Sequence, residues 1–310
     1  MSPTSLLSAT FDKPTGSYVW SRVRRRLCLP VRAGFGAALL VALLTGSAAP
    51  AVAQTPQIRQ IASGAHGLEL MPAEQRGWLI AAELARRDTG WGDSVATVRM
   101  VVRTGRGEES VRELRSKRLE LAGGADRRLL IVDRPADLRD TALLIAADPS
   151  RPDEQWLYRA ATGGVERIGA AAMAEPFMGS EFSHQDLATQ RADRYAHHWL
   201  RNETADGLVL HVIERRPARG SATYTRQVVW IDAHEYRVWK IDFYDRSEQL
   251  FKTLRYMAYR EYPDGHWRPH VMHMSNHRTG ASTTLEWSRY RFRTGLSERD
   301  FDPARLGAGR

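Results

Sequence analysis

Cysteine is nearly absent: the only one in 310 residues is Cys28. That excludes a disulfide framework, a cysteine nucleophile and cysteine-ligated zinc, and leaves stability to a packed core. The surplus of one sign of charge is also small. The chain carries +9 overall, and setting aside residues 1–53, with their Lys13, five arginines and Asp12, leaves +4. So small a surplus argues against nucleic acid as a partner, which asks for a concentrated basic patch. The longest apolar run, Ala33 to Leu44, falls short of the roughly 20 residues a membrane-spanning helix needs. There is no G-x-S-x-G elbow. Nor is there a regular alternation of strands with helices, which excludes the βαβ units of a parallel nucleotide-binding sheet.

What is present begins with an export pattern. Arg22, Arg24, Arg25 and Arg26 form a basic region, the apolar run follows, and Ala51-Val52-Ala53 offers small residues for signal peptidase. The expectation is a signal peptide over 1–53, cleavage before Gln54, and a single domain over 54–310 that resides in the periplasm. Cys28 lies upstream of the apolar run, so the mature chain is not a lipoprotein.

Met71 to Arg87 places Trp78, Ala81, Ala82 and Ala85 at helical spacing behind Pro72, predicting an amphipathic helix. After Trp91 the period changes to two. Ala96, Val98, Met100 and Val102 alternate with polar residues, and short runs follow at 110–120, 129–133, 142–146, 155–158 and 165–168. The last third is the clearest, with long alternating segments from Leu208 to Phe292 separated by turn residues such as Pro263-Asp-Gly and Thr279-Gly-Ala. This pattern predicts a mainly β protein built on one antiparallel sheet. Val228, Val229, Trp230 and Ile231 are apolar on both faces, and Trp239, Ile241 and Phe243 share a side by simple alternation. A strand apolar on both faces must be covered on both. A sheet that curls and is capped by helices satisfies this and leaves a lined cavity.

Ser183 followed by Asp186 makes a capping box that should start a short helix, with Phe182 and Leu187 pinning it to apolar surface. Adjacent Ser183 and His184 cannot both face one substrate, so no catalytic residue is assigned. His266, His270, His273 and His277 form a spaced cluster, but strand parity points His270 away from His273 and His277, and no carboxylate pair completes a metal site. They read as solvated or edge-strand histidines. Arg86-Arg87, Arg127-Arg128 and Arg215-Arg216 read as solvated faces and strand ends. No metal and no cofactor is expected.

The block Glu175-Pro-Phe-Met-Gly-Ser-Glu-Phe-Ser-His-Gln-Asp-Leu187, the tail Trp267-Arg-Pro-His-Val-Met-His-Met with Arg278-Thr-Gly-Ala-Ser-Thr-Thr-Leu-Glu-Trp287, and the ending Phe301-Asp-Pro-Ala-Arg-Leu306 resemble the outer-membrane lipoprotein-sorting protein family, the LolA-like group. Where that family has G-S-[DE]-F-S-Y-E-D-L, His184 and Gln185 replace the Tyr and Glu. The resemblance implies a half-open β-barrel with helices over its concave face. It also implies a non-enzymatic carrier that holds an acyl chain, lipid or lipoprotein in a hydrophobic hollow, with an inner-membrane exporter as a further partner. The residues expected at the lid and hollow are Phe177, Phe182, Leu187, Trp230, Trp239, Ile241 and Phe243. Ser183 and Asp186 cap the lid helix, and Phe182 is expected at the mouth, near water. The alternative is a structural or interaction subunit of an envelope export complex with a filled core.

Overall fold

The computed structural model describes residues 70–218 and 223–307; the expected signal segment, Cys28 and the processing site at Ala53 lie outside them. Helix α1 is Ala73–Arg87, and Pro72 stands immediately before it. Thirteen strands follow: β1 Asp93–Arg103, β2 Glu109–Glu120, β3 Asp126–Arg134, β4 Ala142–Asp148, β5 Arg151–Arg159, β6 Gly164–Arg167, β7 Tyr195–Ala205, β8 Leu208–Pro217, β9 Arg226–Asp232, β10 Val238–Tyr244, β11 Leu250–Tyr262, β12 His266–Asn276 and β13 Ser282–Phe292. A one-turn helix, α2, His184–Leu187, lies between β6 and β7. Among the described residues no helix is long and apolar enough to cross a membrane.

All thirteen strands form one antiparallel sheet in the order β6-β5-β4-β3-β2-β1-β13-β12-β11-β10-β9-β8-β7. The turns explain the meander. Asp206 and Gly207 both take positive φ between β7 and β8, as a tight two-residue hairpin requires. Two meanders, β1–β6 and β7–β13, meet where β13 pairs with β1. The sheet does not close: β6 and β7 are its two edges, and residues 168–194 must cross a face to connect them.

That crossing segment reveals the curvature. The Gln155 side chain, on β5, donates to the His184 carbonyl at 2.8 Å. Two residues on, Asp186 accepts from the hydroxyl of Tyr224, which leads into β9, at 3.0 Å. β5 and β9 are nine places apart in the sheet, roughly 43 Å if it were flat at about 4.8 Å per strand, whereas two residues reach about 7 Å. The sheet therefore curls around the segment as a half-open barrel.

The inner face carries the main core, which includes Val98, Met100, Leu114, Leu130, Ile145, Ile213, Ile241, Leu254, Met274 and Leu285. Helix α1 covers one end of it through Ile80 and Ala81. At Gly77 the helix lies against β7 so closely that an added Cβ would stand 2.8 Å from the Trp199 nitrogen. On the outer face, Phe301 and Leu306 of the C-terminal tail cover Leu129, Ile131, Ala142 and Leu144. The alternate residues of β3 and β4 are thus buried on both sides, by different elements.

Candidate functional site

The crossing segment is bound to the sheet by polar contacts at several strands. Ser183 caps α2: its hydroxyl accepts from the Asp186 amide at 3.2 Å, and Asp186 accepts from the Ser183 amide at 2.8 Å. Burial raises the Asp186 carboxyl above the ordinary range, against the lowering effect of the nearby Lys252 charge. Burial likewise holds the Tyr224 hydroxyl well above 10, reinforced by the Asp186 charge. Lys252 of β11 donates to the Glu181 carbonyl at 2.7 Å, Asn276 of β12 to its carboxylate at 2.8 Å, and the Glu181 amide donates to Thr283 of β13 at 2.8 Å. His184 faces Gln155 at 3.1 Å, and burial lowers its pKa below that of a free imidazole. Between these anchors Phe177, Phe182 and Leu187 point into the main core.

Beneath the segment the inner wall changes character along β2 and β3. The cross-strand pairs run Leu114 with Val132, Ser116 with Leu130, then Arg118 with Arg128. Like charges directly opposite are unfavourable in a sheet, and burial compounds the effect. Burial first, and the Arg118 charge second, lower the Arg128 guanidinium to about 10. Arg128 donates to the Leu187 carbonyl at 3.1 Å, which ties this basic end to the crossing segment. Opposite it, burial pushes the Tyr256 hydroxyl up to about 12. The wall is thus apolar at one end and basic at the other, under one cover.

The expected site residues fall into two groups. Phe177, Phe182, Leu187, Ile241 and Phe243 come together in the inner core. Trp230 and Trp239 lie on the outer face with Leu210, Val212 and Val228. Trp230 faces outward by simple alternation between the inward Val229 and Ile231, whereas a β-bulge accounts for Trp239: Val238 opposes Ile231 and Lys240 opposes Trp230, leaving Trp239 as the extra residue and turning it away from Ile241. Phe182, expected at a wet mouth, is only 2 % exposed.

Two further expectations are corrected. His266 and His270 are buried on β12, which stands in the middle of the sheet and not at its edge. Arg128 and Arg215 face inward, Arg215 bonding Gln227 at 2.7 Å. Each is the alternate partner of an outward arginine, so only the facing pattern of the neighbouring apolar residues, Leu130 and Ile213, could have signalled it. Among the described residues no cluster of His, Cys, Asp and Glu has the arrangement of a metal site.

Residues 124–308 match a family model of uncharacterised proteins. No curated protein matches the chain. Among solved structures, an outer membrane lipoprotein-sorting protein domain from Vibrio parahaemolyticus is 42% identical, with a TM-score of 0.73, over 76% of this chain and 99% of that one. A DUF1329 family protein from Desulfovibrio piger is 27% identical, with a TM-score of 0.72, over 76% of this chain and 100% of its own. A LolA superfamily protein from Nitrosomonas europaea shares the fold at 21% identity and a TM-score of 0.57, over 73% and 97% of the two chains.

Proposed function

The chain belongs to the outer membrane lipoprotein-sorting protein family, and from that membership we propose that it is a periplasmic carrier sheltering one acyl chain of a lipid or lipoprotein between the curled sheet and the crossing segment, which serves as a lid. The observation that carries this reading is the graded inner wall, apolar at Leu114 and Val132 and basic at Arg118 and Arg128. An amphiphile has the same two-part character. The proposed ligand-contacting residues are Phe177, Phe182, Leu187, Ile241 and Phe243, with Ser183 and Asp186 holding the lid helix. Trp230 and Trp239 pack in the outer-face cluster and are left out of the proposed ligand contacts. No chemistry is assigned to the carrier.

The lid side chains occupy the hollow, so a ligand must take their place. Moving Phe177, Phe182 and Leu187 out of the core costs about 5–9 kcal/mol at roughly 1.5–3 kcal/mol each. A chain of about 14 methylenes contributes about 11 kcal/mol at roughly 0.8 kcal/mol apiece. Long chains can therefore displace the lid and short ones cannot. Titration with fatty acids of 6 to 16 carbons, read by displacement of a fluorescent fatty acid, should show affinity rising steeply above about 10 carbons. No binding at any length would reject the carrier.

A second reading, a non-catalytic subunit of an envelope export complex with a filled core, is favoured by one observation: the lid's polar anchors at Gln155, Lys252, Asn276 and Thr283. Delivery to the periplasm would follow from cleavage before Gln54, to be checked by N-terminal sequencing of the exported protein. An inner-membrane exporter as donor rests on the resemblance alone, and crosslinking in cells would test it.

A further inference from the structure

The β12–β13 ladder closes over only part of its length. Val271 to Ser275 pair with Glu286 to Ser282. β12 nevertheless stays paired with β11 as far as His266, and β13 with β1 as far as Phe292. Among the described residues, 266–270 and 287–292 thus diverge into a wedge. A positive φ at Arg289 marks the irregularity in β13. Rings fill the gap where hydrogen bonds would have been: Tyr290 meets His270 and Tyr262 at 5.5 Å, and Phe292 meets Tyr262 at 5.1 Å.

A cavity of about 290 Å³ remains in the wedge, walled by Trp91, Tyr262, Tyr290 and Phe292, with His266 at its side. His266 is 7 % exposed, and neither ring nitrogen has a hydrogen-bond partner among the described residues. Arg268, two residues along on the same face of β12, has a side chain 8 % exposed. Its Nη1 donates to Asp88 at 2.6 Å, while its Nη2 is buried without a partner. Its guanidinium lies 5.6 Å from the Phe292 ring and 5.7 Å from that of Trp91. Arg118 covers Trp91 at 4.7 Å and has no carboxylate within ion-pair distance among the described residues.

Four carboxylates stand nearby, and each is already satisfied: Asp88 by Arg268; Asp264, at the cavity wall, by Arg293 at 2.5 Å; Glu120 by the Gly90 and Gly92 amides on either side of Trp91; and Asp93 by Thr294 and the Gly295 amide. What is left is two cations without an ion-pair partner among the described residues, Arg118 and the Arg128 opposite it, and buried nitrogens without partners, against an aromatic wall. A cationic ligand would find Arg118 and Arg268 already set against these rings; an anion finds donors in need of an acceptor.

We propose that the wedge receives the anionic head of an amphiphile, a carboxylate or phosphate, bound by His266 and Arg268, with the first carbons of its tail against Tyr262, Tyr290 and Phe292. The tail's place in the hollow rests on the carrier reading; the head's place in the wedge does not. The test is calorimetric titration of the full chain with dodecanoate, dodecyl phosphate, dodecanol and dodecyltrimethylammonium, with benzoate and inorganic phosphate as tail-free anions. The two anionic amphiphiles should bind at least about tenfold tighter than dodecanol, consistent with added charge-assisted hydrogen bonds. Both His266→Ala and Arg268→Gln should erase that preference and leave the dodecanol affinity unchanged. His266→Ala removes no hydrogen bond made within the described fold and is the variant least prone to unfold. Equal affinity for anionic and neutral amphiphiles, tighter binding of the ammonium, or a preference surviving in His266→Ala would overturn the proposal. Inorganic phosphate binding as tightly as dodecyl phosphate would assign the wedge to a free anion and overturn the amphiphile. If no twelve-carbon compound binds, the carrier reading fails, and benzoate decides the wedge alone: binding lost in His266→Ala upholds it, and no binding to the native chain overturns it.

Discussion

Phe182→Ala should weaken the fold and strengthen ligand binding at once. Phe182 is 2 % exposed and packs in the inner core from the crossing segment. Truncating a buried Phe to Ala removes its transfer free energy and leaves a cavity, together about 3–5 kcal/mol. For a domain of this size each kcal/mol lowers the melting temperature by roughly 2–4 °C, so thermal unfolding followed by near-ultraviolet circular dichroism should fall by roughly 6–20 °C. The same deletion removes a side chain that an acyl chain must displace, worth about 1.5–3 kcal/mol. Hexadecanoate should then bind more than about tenfold tighter, since each 1.4 kcal/mol is a factor of about ten. Phe182→Asp should be more damaging than Phe182→Ala, because a carboxylate at this depth loses its hydration, and the nearby Lys252 is already held by Glu181. A fall in melting temperature under about 3 °C would show that Phe182 is not core. Unchanged or weaker hexadecanoate binding would refute displacement of the lid.

Other perturbations address the lid, the pH response and the helix seat. Burial raises the Asp186 carboxyl, so the folded state favours its protonated form; this contribution is present below the unfolded value near pH 3.9 and is lost as pH rises through the folded one. Asp186→Asn keeps the cap acceptor without that loss, so its melting temperature relative to the native protein should be higher at pH 8 than at pH 4; equal differences would contradict the assignment. Burial lowers His184, His197, His211, His270 and His273, so their contribution is present above about pH 6.5 and lost as pH falls below it. Urea midpoints should therefore drop between pH 7.5 and 5.5, and a rise on acidification would count against neutral buried histidines. Gly77→Ala should destabilise despite alanine's better helix propensity of about 1 kcal/mol, because its Cβ would meet the β7 backbone. A gain in stability would show that α1 can shift off the sheet.

The period-two segments after Trp91 made the antiparallel meander legible, and Ser183 with Asp186 marked the start of α2. Strand order was a different matter. Nothing local says that β13 returns to β1 or that β12 is central, so His266 and His270 read as edge residues until their neighbours were known. Alternation also misleads wherever the backbone adds a residue. The bulge at Trp239 moves an aromatic side chain to the outer face, although sequence parity groups it with Ile241 and Phe243. The inward arginines were hidden for a related reason. Arg127-Arg128 is a charged dipeptide in any composition count, and only its register with Leu130 and Arg118 separates the outward member from the inward one.

The central claim is that the curled sheet and its lid hold one acyl-bearing molecule. Mass spectrometry of the protein isolated without detergent, under conditions that preserve noncovalent complexes and followed by organic extraction, tests it most directly. The account predicts an amphiphile with a chain longer than about 10 carbons and an anionic head, close to one per protein molecule. Protein that emerges empty, and stays empty after incubation with hexadecanoate, would contradict it.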